Sequence, residues 1–262
     1  MTEDVKEIYD NMAESYDTNF SGGIWILYDA LTWKYIEDYL PEGECTVLDA
    51  GGGTGKWAIE LARKGHIVYL TDLSSEMLKK AEKKIDENIP GKVIILESNV
   101  CAMEFSDNFF DFVLCEGDPV SYCCENHFKA LQELVRVAKP HSIIEIGVDS
   151  RLSFMIGFMR RPPEEGLKAF EKGLSMDLWK TPTFTFTPRI LEEEFNRCGA
   201  DLLKIVGKPI LWSMLAPHIE NLKERIENDT EFREKLIRFE IALNEEGFGP
   251  SGLHLQAIAR KR

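Results

Sequence analysis

The sequence predicts an α/β fold: a seven-stranded sheet with helices on both faces and a helical cap inserted after the fifth strand. Three observations point to it. Between Cys45 and Val148 short β-rich runs alternate with helical patterns, the signature of a parallel sheet covered by helices. The strand runs are apolar on both faces, as a sheet buried on both sides requires. After Val148 the alternation stops, and Arg151 to Thr187 carries Met, Phe, Trp and Pro without a regular period.

Taken in order, residues 5–16 and 25–39 read as amphipathic helices ahead of the sheet. Residues 46–50 form the first strand and 57–63 the helix that follows. Residues 66–71 are the second strand, and 75–87 a helix opened by a Ser at the N-cap. Strands follow at 93–97 and 111–115. A helix at 128–138 is closed by Lys139-Pro140, and 142–148 is the fifth strand. Beyond the cap, 188–198 reads as a helix, 201–206 as a strand, 217–244 as largely helical and 253–260 as the last strand. One domain spans 1–262: N-terminal helices (1–40), a core (45–150), the cap (151–187) and the C-terminal part of the sheet (188–262).

Composition narrows the function. Hydrophobic residues at 44% and charged residues at 29% are an ordinary globular mixture. Asp and Glu outnumber Lys and Arg by 45 to 31, a net charge of −14, and no basic stripe is concentrated anywhere. Such a field disfavours nucleic acid and anionic lipid as partners. The N-terminus lacks the apolar core of a signal peptide, and no apolar run approaches the roughly 20 residues that span a bilayer. The expectation is a cytoplasmic protein, monomeric or homodimeric, with its six cysteines reduced. No CxxC pair or Cys/His set has zinc-finger spacing, so no metal is expected. Cys123-Cys124 is the one adjacent thiol pair in the sequence.

The informative stretch is Asp49-Ala50-Gly51-Gly52-Gly53-Thr54-Gly55, directly after a strand and before a helix. Glycines at 51, 53 and 55 let the backbone turn sharply and let a ligand approach without Cβ interference. The helix start offers free N–H groups. Asp49 lies at the C-terminal end of its strand, where open α/β sheets bind ligands. The next strand ends in Asp72, whose carboxylate can accept both hydroxyls of an adenosine ribose. The G-x-G-x-G spacing differs from the dinucleotide G-x-G-x-x-G, which weakens a nicotinamide-dependent oxidoreductase as the alternative.

On these residues the chain resembles the class I S-adenosylmethionine-dependent methyltransferases, and within them the small-molecule, ubiquinone/menaquinone-biosynthesis-like branch. Asp49, Gly51, Gly53 and Gly55 match the glycine motif, and Asp72-Leu73-Ser74-Ser75-Glu76-Met77 matches the Asp-x-Ser-x-x-Met segment. The resemblance implies a Rossmann-like methyltransferase sheet with S-adenosylmethionine as cofactor and S-adenosylhomocysteine as product. It implies that Asp72 holds the ribose, with Leu73 and Met77 flanking the adenine. Asn99-Val100 stands where the family carries an acid for the adenine amino group. Glu116 follows the fourth-strand match at residues 110–115. The segment 131–140 matches a helix and turn that usually end in two glycines, here replaced by His141-Ser142. Tyr9 and Tyr16 resemble the family's N-terminal tyrosine that closes over the cofactor, with Tyr16 preferred.

Methyl transfer needs alignment above all, and a general base only if the acceptor must lose a proton. The catalytic group is therefore unknown from sequence, with His127, His254 and Glu116 as candidates and Asp118 as a further carboxylate after the fourth strand. Neither an Asn/Asp-Pro-Pro-Tyr/Phe box nor a Pro-Cys pair occurs, which favours a small acceptor over nucleic acid. Its pocket is expected between the cap and the N-terminal helices, with Trp25, Tyr28, Phe154, Phe158 and Trp179 as lining residues; the same aromatics can instead glue the cap to the sheet. Two alternatives remain at this level. One is a non-catalytic S-adenosylmethionine-binding protein; the other is a soft-metalloid methyltransferase using Cys123, Cys124 and another thiol.

Overall fold

The chain folds as α1 (Glu3–Met12), α2 (Tyr16–Asn19), α3 (Ile24–Tyr39), β1 (Thr46–Ala50), α4 (Lys56–Arg63), β2 (Ile67–Asp72), α5 (Ser75–Lys84), β3 (Lys92–Glu97) and β4 (Phe110–Cys115). A 3-10 turn (Ser121–Asn126), α6 (His127–Val137) and β5 (Ala138–Asp149) complete the core half. Then come α7 (Arg151–Met159), β6 (Leu174–Met176), β7 (Pro182–Phe184), α8 (Pro188–Cys198), β8 (Ala200–Lys208), α9 (Leu222–Asn228), α10 (Thr230–Glu245) and β9 (His254–Lys261). This computed structural model describes residues 3–86, 88–159, 167, 170–176, 181–212 and 219–262.

Local chemistry sets the element ends. Ser74 accepts the Met77 amide at 3.1 Å and starts α5. Thr187 accepts the Ile190 amide ahead of Pro188, and Gly199 in the left-handed conformation ends α8. Asp229 accepts the Phe232 amide at 2.9 Å, so the helical stretch expected over 217–244 breaks there into α9 and α10; residues 213–218 lie outside the described residues.

Seven strands form one sheet in the order β3-β2-β1-β4-β5-β9-β8. The first five are parallel, and β9 runs antiparallel to both β5 and β8. From β1 the chain builds outward to β3, then returns to place β4 on the other side of β1. The carboxyl ends of β1 and β4 are therefore the switch point, where such sheets bind ligands. Within β1, Val47 and Leu48 face opposite sides, and both are fully buried. Leu48 joins a core with Phe110, Leu134, Ile144, Phe186 and Phe195; Val47 joins another with Tyr35, Leu61, Leu70 and Phe112. A third cluster, with Leu27, Leu211, Ile226 and Leu236, fastens α3 to α9 and α10.

Further differences from the sequence expectations are local, among them that α5 ends at Lys84 and not at 87. The first helix stops at Met12, and Tyr16 opens a separate short helix. β5 starts earlier than expected because the turn after Pro140 stays in the sheet, with a register shift between Phe110 and Phe112; His141 takes the left-handed φ of 67° that a glycine would adopt there. The segment after β5 is helical only in part. It also carries the antiparallel ribbon β6–β7, in which Leu174 pairs with Phe184. Thr183-Phe184-Thr185-Phe186 alternates with period two, a strand signal inside what read as a helical cap.

Candidate active site

Beyond the switch point a cavity of about 270 Å³ opens between the carboxyl edge of the sheet and the N-terminal helices. One half is built from the loop after β1. The Gly51 and Gly52 amides both donate to the Thr71 carbonyl, and the Gly53 amide donates to Asp72 Oδ2 at 2.9 Å. These amides are spent inside the protein, so the loop offers its Cα face and not a row of free donors. A Cβ at Gly52 would lie 2.5 Å from Asp49 Oδ2 and from Leu70, whereas at Gly53, with φ of 56°, it would meet nothing within 4 Å. Gly52 is thus pressed down onto the sheet, and Gly53 is open above it.

Asp72 sits at the tip of β2. Its Oδ1 accepts the Ser74 amide at 2.8 Å, and the two backbone bonds leave further lone pairs on both oxygens. Burial pushes its pKa up, against the pull of the Ser74 and Gly53 amides. Met77 lies in the wall and is fully buried. Asp49 lies beneath the loop and does not line the cavity. Its Oδ2 accepts the Ala58 amide at 3.0 Å, pinning α4 to β1, and burial raises its pKa to about 7.

The N-terminal helices supply an aromatic wall. Ring centroids run from Tyr122 to Tyr9 (5.8 Å), Tyr9 to Tyr16 (6.2 Å), Tyr16 to Phe20 (4.6 Å), Phe20 to Trp25 (4.8 Å) and Trp25 to Tyr28 (5.6 Å). Polar contacts hold these helices on the loop half: Ser74 donates to Asp10 at 2.5 Å, Thr54 to Asp17 at 2.6 Å, and Lys6 to the Leu73 carbonyl at 2.7 Å.

The other half gathers charged groups from distant strands. Glu116 and Lys208 form an ion pair at 2.7 Å with both side chains fully buried. Lys208 also donates to Thr32 and Gln256, and Tyr28 donates its hydroxyl to Glu116 at 3.2 Å. Burial raises the pKa of Glu116, opposed by Lys208. Behind this pair Gln256 donates to Glu145, whose pKa burial lifts to about 8. Gly117 and Asp118, with φ of 83° and 70°, turn the chain after β4 so that Asp118 enters the cavity wall. His254 Nδ1 lies 2.9 Å from Asp118 Oδ2 and 3.7 Å from Asp149 Oδ1. Burial disfavours protonation of this imidazole, but the two carboxylates outweigh it and raise its pKa.

Of the residues singled out from sequence, Tyr16, Gly51, Gly53, Asp72, Met77, Glu116, Trp25, Tyr28, Phe154 and His254 line the cavity. Asp49, Gly55, Leu73, Asn99, Val100 and His127 do not. Gly55 packs against Ala81 and Leu70. Leu73 gives its carbonyl to Lys6. The Asn99 side-chain oxygen, expected to be free for a ligand amino group, accepts the Cys101 amide at 2.9 Å. Val100 is core. His127 stacks on Phe184 with centroids 3.9 Å apart, and its two nitrogens contact Glu194 Oε1 and the Cys124 carbonyl, so it braces α6 against the ribbon and α8. Phe186 is likewise core. The Phe158 side chain and Trp179 lie outside the described residues. Cys123 Sγ contacts Cys101 Sγ at 3.3 Å, whereas Cys124 Sγ donates to the Pro182 carbonyl; the pair does not converge on one point.

Sequence reasoning missed Tyr122, Asp149, Thr181 and Lys208. Asp149 had a signal, since it ends β5 at the same sheet edge as Asp49 and Asp72. Lys208 had none: its pairing with Glu116 spans 92 positions.

Residues 47–141 match a family model described as a methyltransferase domain. A ubiquinone/menaquinone biosynthesis C-methyltransferase of Vibrio cholerae is 31% identical over 147 residues, covering 52% of this chain and 53% of that protein. The chain spans about half the length of the curated relatives it matches. Among solved structures, an S-adenosylmethionine-dependent methyltransferase from Thermotoga maritima is similar with a TM-score of 0.63 at 18% identity, over 98% of this chain and 99% of that one. Another from Methanosarcina mazei gives a TM-score of 0.60 at 21% identity, over 87% of this chain and 96% of that one. At these identities the structural likeness is one of fold.

Proposed function

We propose that this chain, which carries a methyltransferase domain at residues 47–141 within a class I methyltransferase sheet, transfers a methyl group from S-adenosylmethionine to a small-molecule acceptor. The observation that carries the reading is the pairing of loop and carboxylate. The loop amides at 51–53 are already bonded within the protein, which suits a neutral ribose and a sulfonium better than a pyrophosphate that needs free donors. The open face at Gly53 and the remaining lone pairs of Asp72 fit an adenosine.

When bound, S-adenosylmethionine supplies an electrophilic methyl carbon on a positively charged sulfur. The chain's own residues hold and align. Asp72 binds the two ribose hydroxyls, Met77 packs on the base, and Tyr9 and Tyr16 close the wall above them. Glu116, kept in place by Lys208, and the carboxylates beyond it present negative potential to a cationic donor. Trp25, Tyr28 and Phe154 bound the acceptor side and limit water there. Glu116 and His254 face the cavity as proton acceptors for an acceptor that must lose one, and His127 does not.

Calorimetric titration with S-adenosylmethionine, S-adenosylhomocysteine and NADH tests the reading. The expectation is saturable binding of the first two and none of NADH. Gly53→Val, which pushes a branched side chain into the open face at a positive φ, should abolish donor binding while circular dichroism stays native. Retained donor affinity in this variant, or binding of NADH alone, contradicts the proposal.

A further inference from the structure

On the acceptor side of the cavity three groups converge from three strand ends: Asp118 after β4, Asp149 closing β5 and His254 opening β9. We propose that they form a binding site for one divalent first-row metal ion of the Mn²⁺ or Zn²⁺ type. One ligand atom from each lies within 4.8 Å of the others. The separations from His254 Nδ1, 2.9 Å to Asp118 and 3.7 Å to Asp149, bracket the edge of about 3.0–3.5 Å expected between ligands bound at about 2.0–2.2 Å.

The contacts are not those of a self-contained hydrogen-bonded dyad. Despite the 2.9 Å approach, His254 Nδ1 has no hydrogen bond of good geometry among the described residues, and its contact with Asp118 is one of charge. Asp118 Oδ1 likewise has no partner among the described residues, although Asp118 is only 7% exposed. A carboxylate oxygen that deep and without a partner is costly, and a cation bound beside the imidazole would complete it.

The surroundings support a cation. Of the other charged groups lining the cavity, Asp17, Asp29, Asp72 and Glu116 are acidic, and Lys56 is bonded to Asp29 at 2.7 Å. Lys208, the one fully buried lysine among the described residues, is taken by Glu116. The ligands are themselves braced. Thr183 donates its hydroxyl to Asp149 Oδ2 at 2.5 Å, Ser121 accepts the Asp149 amide at 2.9 Å, and the Tyr28 ring meets the imidazole edge-on at 5.3 Å. One imidazole with two carboxylates is a borderline-to-hard donor set, which selects Mn²⁺ or Zn²⁺ over soft ions. The site's existence does not depend on the methyl-transfer reading; only its role does. Within that reading an ion here, with open positions toward the cavity, directs the choice of acceptor to molecules that present an oxygen donor.

The test uses the full chain, stripped with chelator and dialysed, with no donor present. Mn²⁺ is titrated by electron paramagnetic resonance and Zn²⁺ by calorimetry. One saturable ion per chain is expected. Asp118→Asn and His254→Gln should each weaken it at least about tenfold, since loss of outer-shell partners alone costs that much. No saturable site in the wild type overturns the proposal whatever the variants do, and so does unchanged affinity in both folded variants. S-adenosylmethionine is then added: competitive release of the ion assigns the carboxylates to the donor's ammonium group and overturns the proposal. An ion that binds to a chain unable to bind S-adenosylmethionine leaves this site standing and removes the methyl-transfer reading instead.

Discussion

The two halves of the cavity are built by different means. The half proposed to take the donor, from Asp49 to Met77, is held by backbone amides spent on neighbours less than 25 positions away. The half proposed to take the acceptor is held by side chains that meet across the sheet: Tyr28 with Glu116, Lys208 with Glu116 and Thr32, and His254 with Asp118 and Asp149. A half made of local backbone bonds tolerates change best away from its glycines and the two carboxylates, Asp49 and Asp72, that accept its amides. A half made of long-range charges depends on every partner being present, because a buried charge that loses its partner cannot recover it from water.

Lys208→Met is the harshest way to break this contrast. It strands Glu116 and should cost about 3–5 kcal/mol of stability by chemical denaturation, with part recovered in the Lys208→Met, Glu116→Gln double variant. A loss under about 1 kcal/mol would mean that the acceptor half is not held together by this pair.

Asp72→Ala sharpens the donor side. Removing charge-assisted bonds of about 1.5–3 kcal/mol should weaken S-adenosylmethionine binding at least tenfold by calorimetry. The Gly53 and Ser74 amides lose their acceptor in the same variant, so a rise in hydrogen exchange at these two amides should accompany the affinity loss. Affinity lost without that rise would mean that the carboxylate serves the ligand alone.

The smallest effect comes from behind the pair. Glu145 has its folded pKa raised to about 8 from 4.5, so the folded state keeps a proton that the unfolded chain has released. Its contribution to stability is complete below about pH 4.5 and is lost as pH rises through about 8, with a slope of at most about 1.4 kcal/mol per pH unit. Glu145→Gln should flatten that part of the stability–pH curve and leave donor affinity unchanged. A variant with the wild-type slope would place the titration elsewhere, and Asp49, raised to about 7, is the next group to replace.

The legibility of each half follows from how it is built. Alternating strand and helix patterns, the glycine spacing and the acid at the end of β2 are local signals, so the sheet and the loop–carboxylate cradle were readable from the chain. Motif position did not foresee that the Asn99 oxygen accepts the Cys101 amide or that the Leu73 carbonyl accepts from Lys6, because spacing does not encode such hydrogen bonds. His127 was equally plausible as a base until Phe184 and Glu194, from segments far along the chain, closed over it.

By itself the sequence determined an α/β sheet with an acid-tipped glycine turn at its switch point, since both arise from residues within a few turns of one another. Only the tertiary structure decided that Lys208 answers Glu116, that Asp118, Asp149 and His254 meet, and that five rings from the N-terminal segment wall one cavity. The physical reason is loop closure. These groups are separated by tens to hundreds of residues, and nothing in their local patterns records which of the many possible encounters the folded sheet makes permanent.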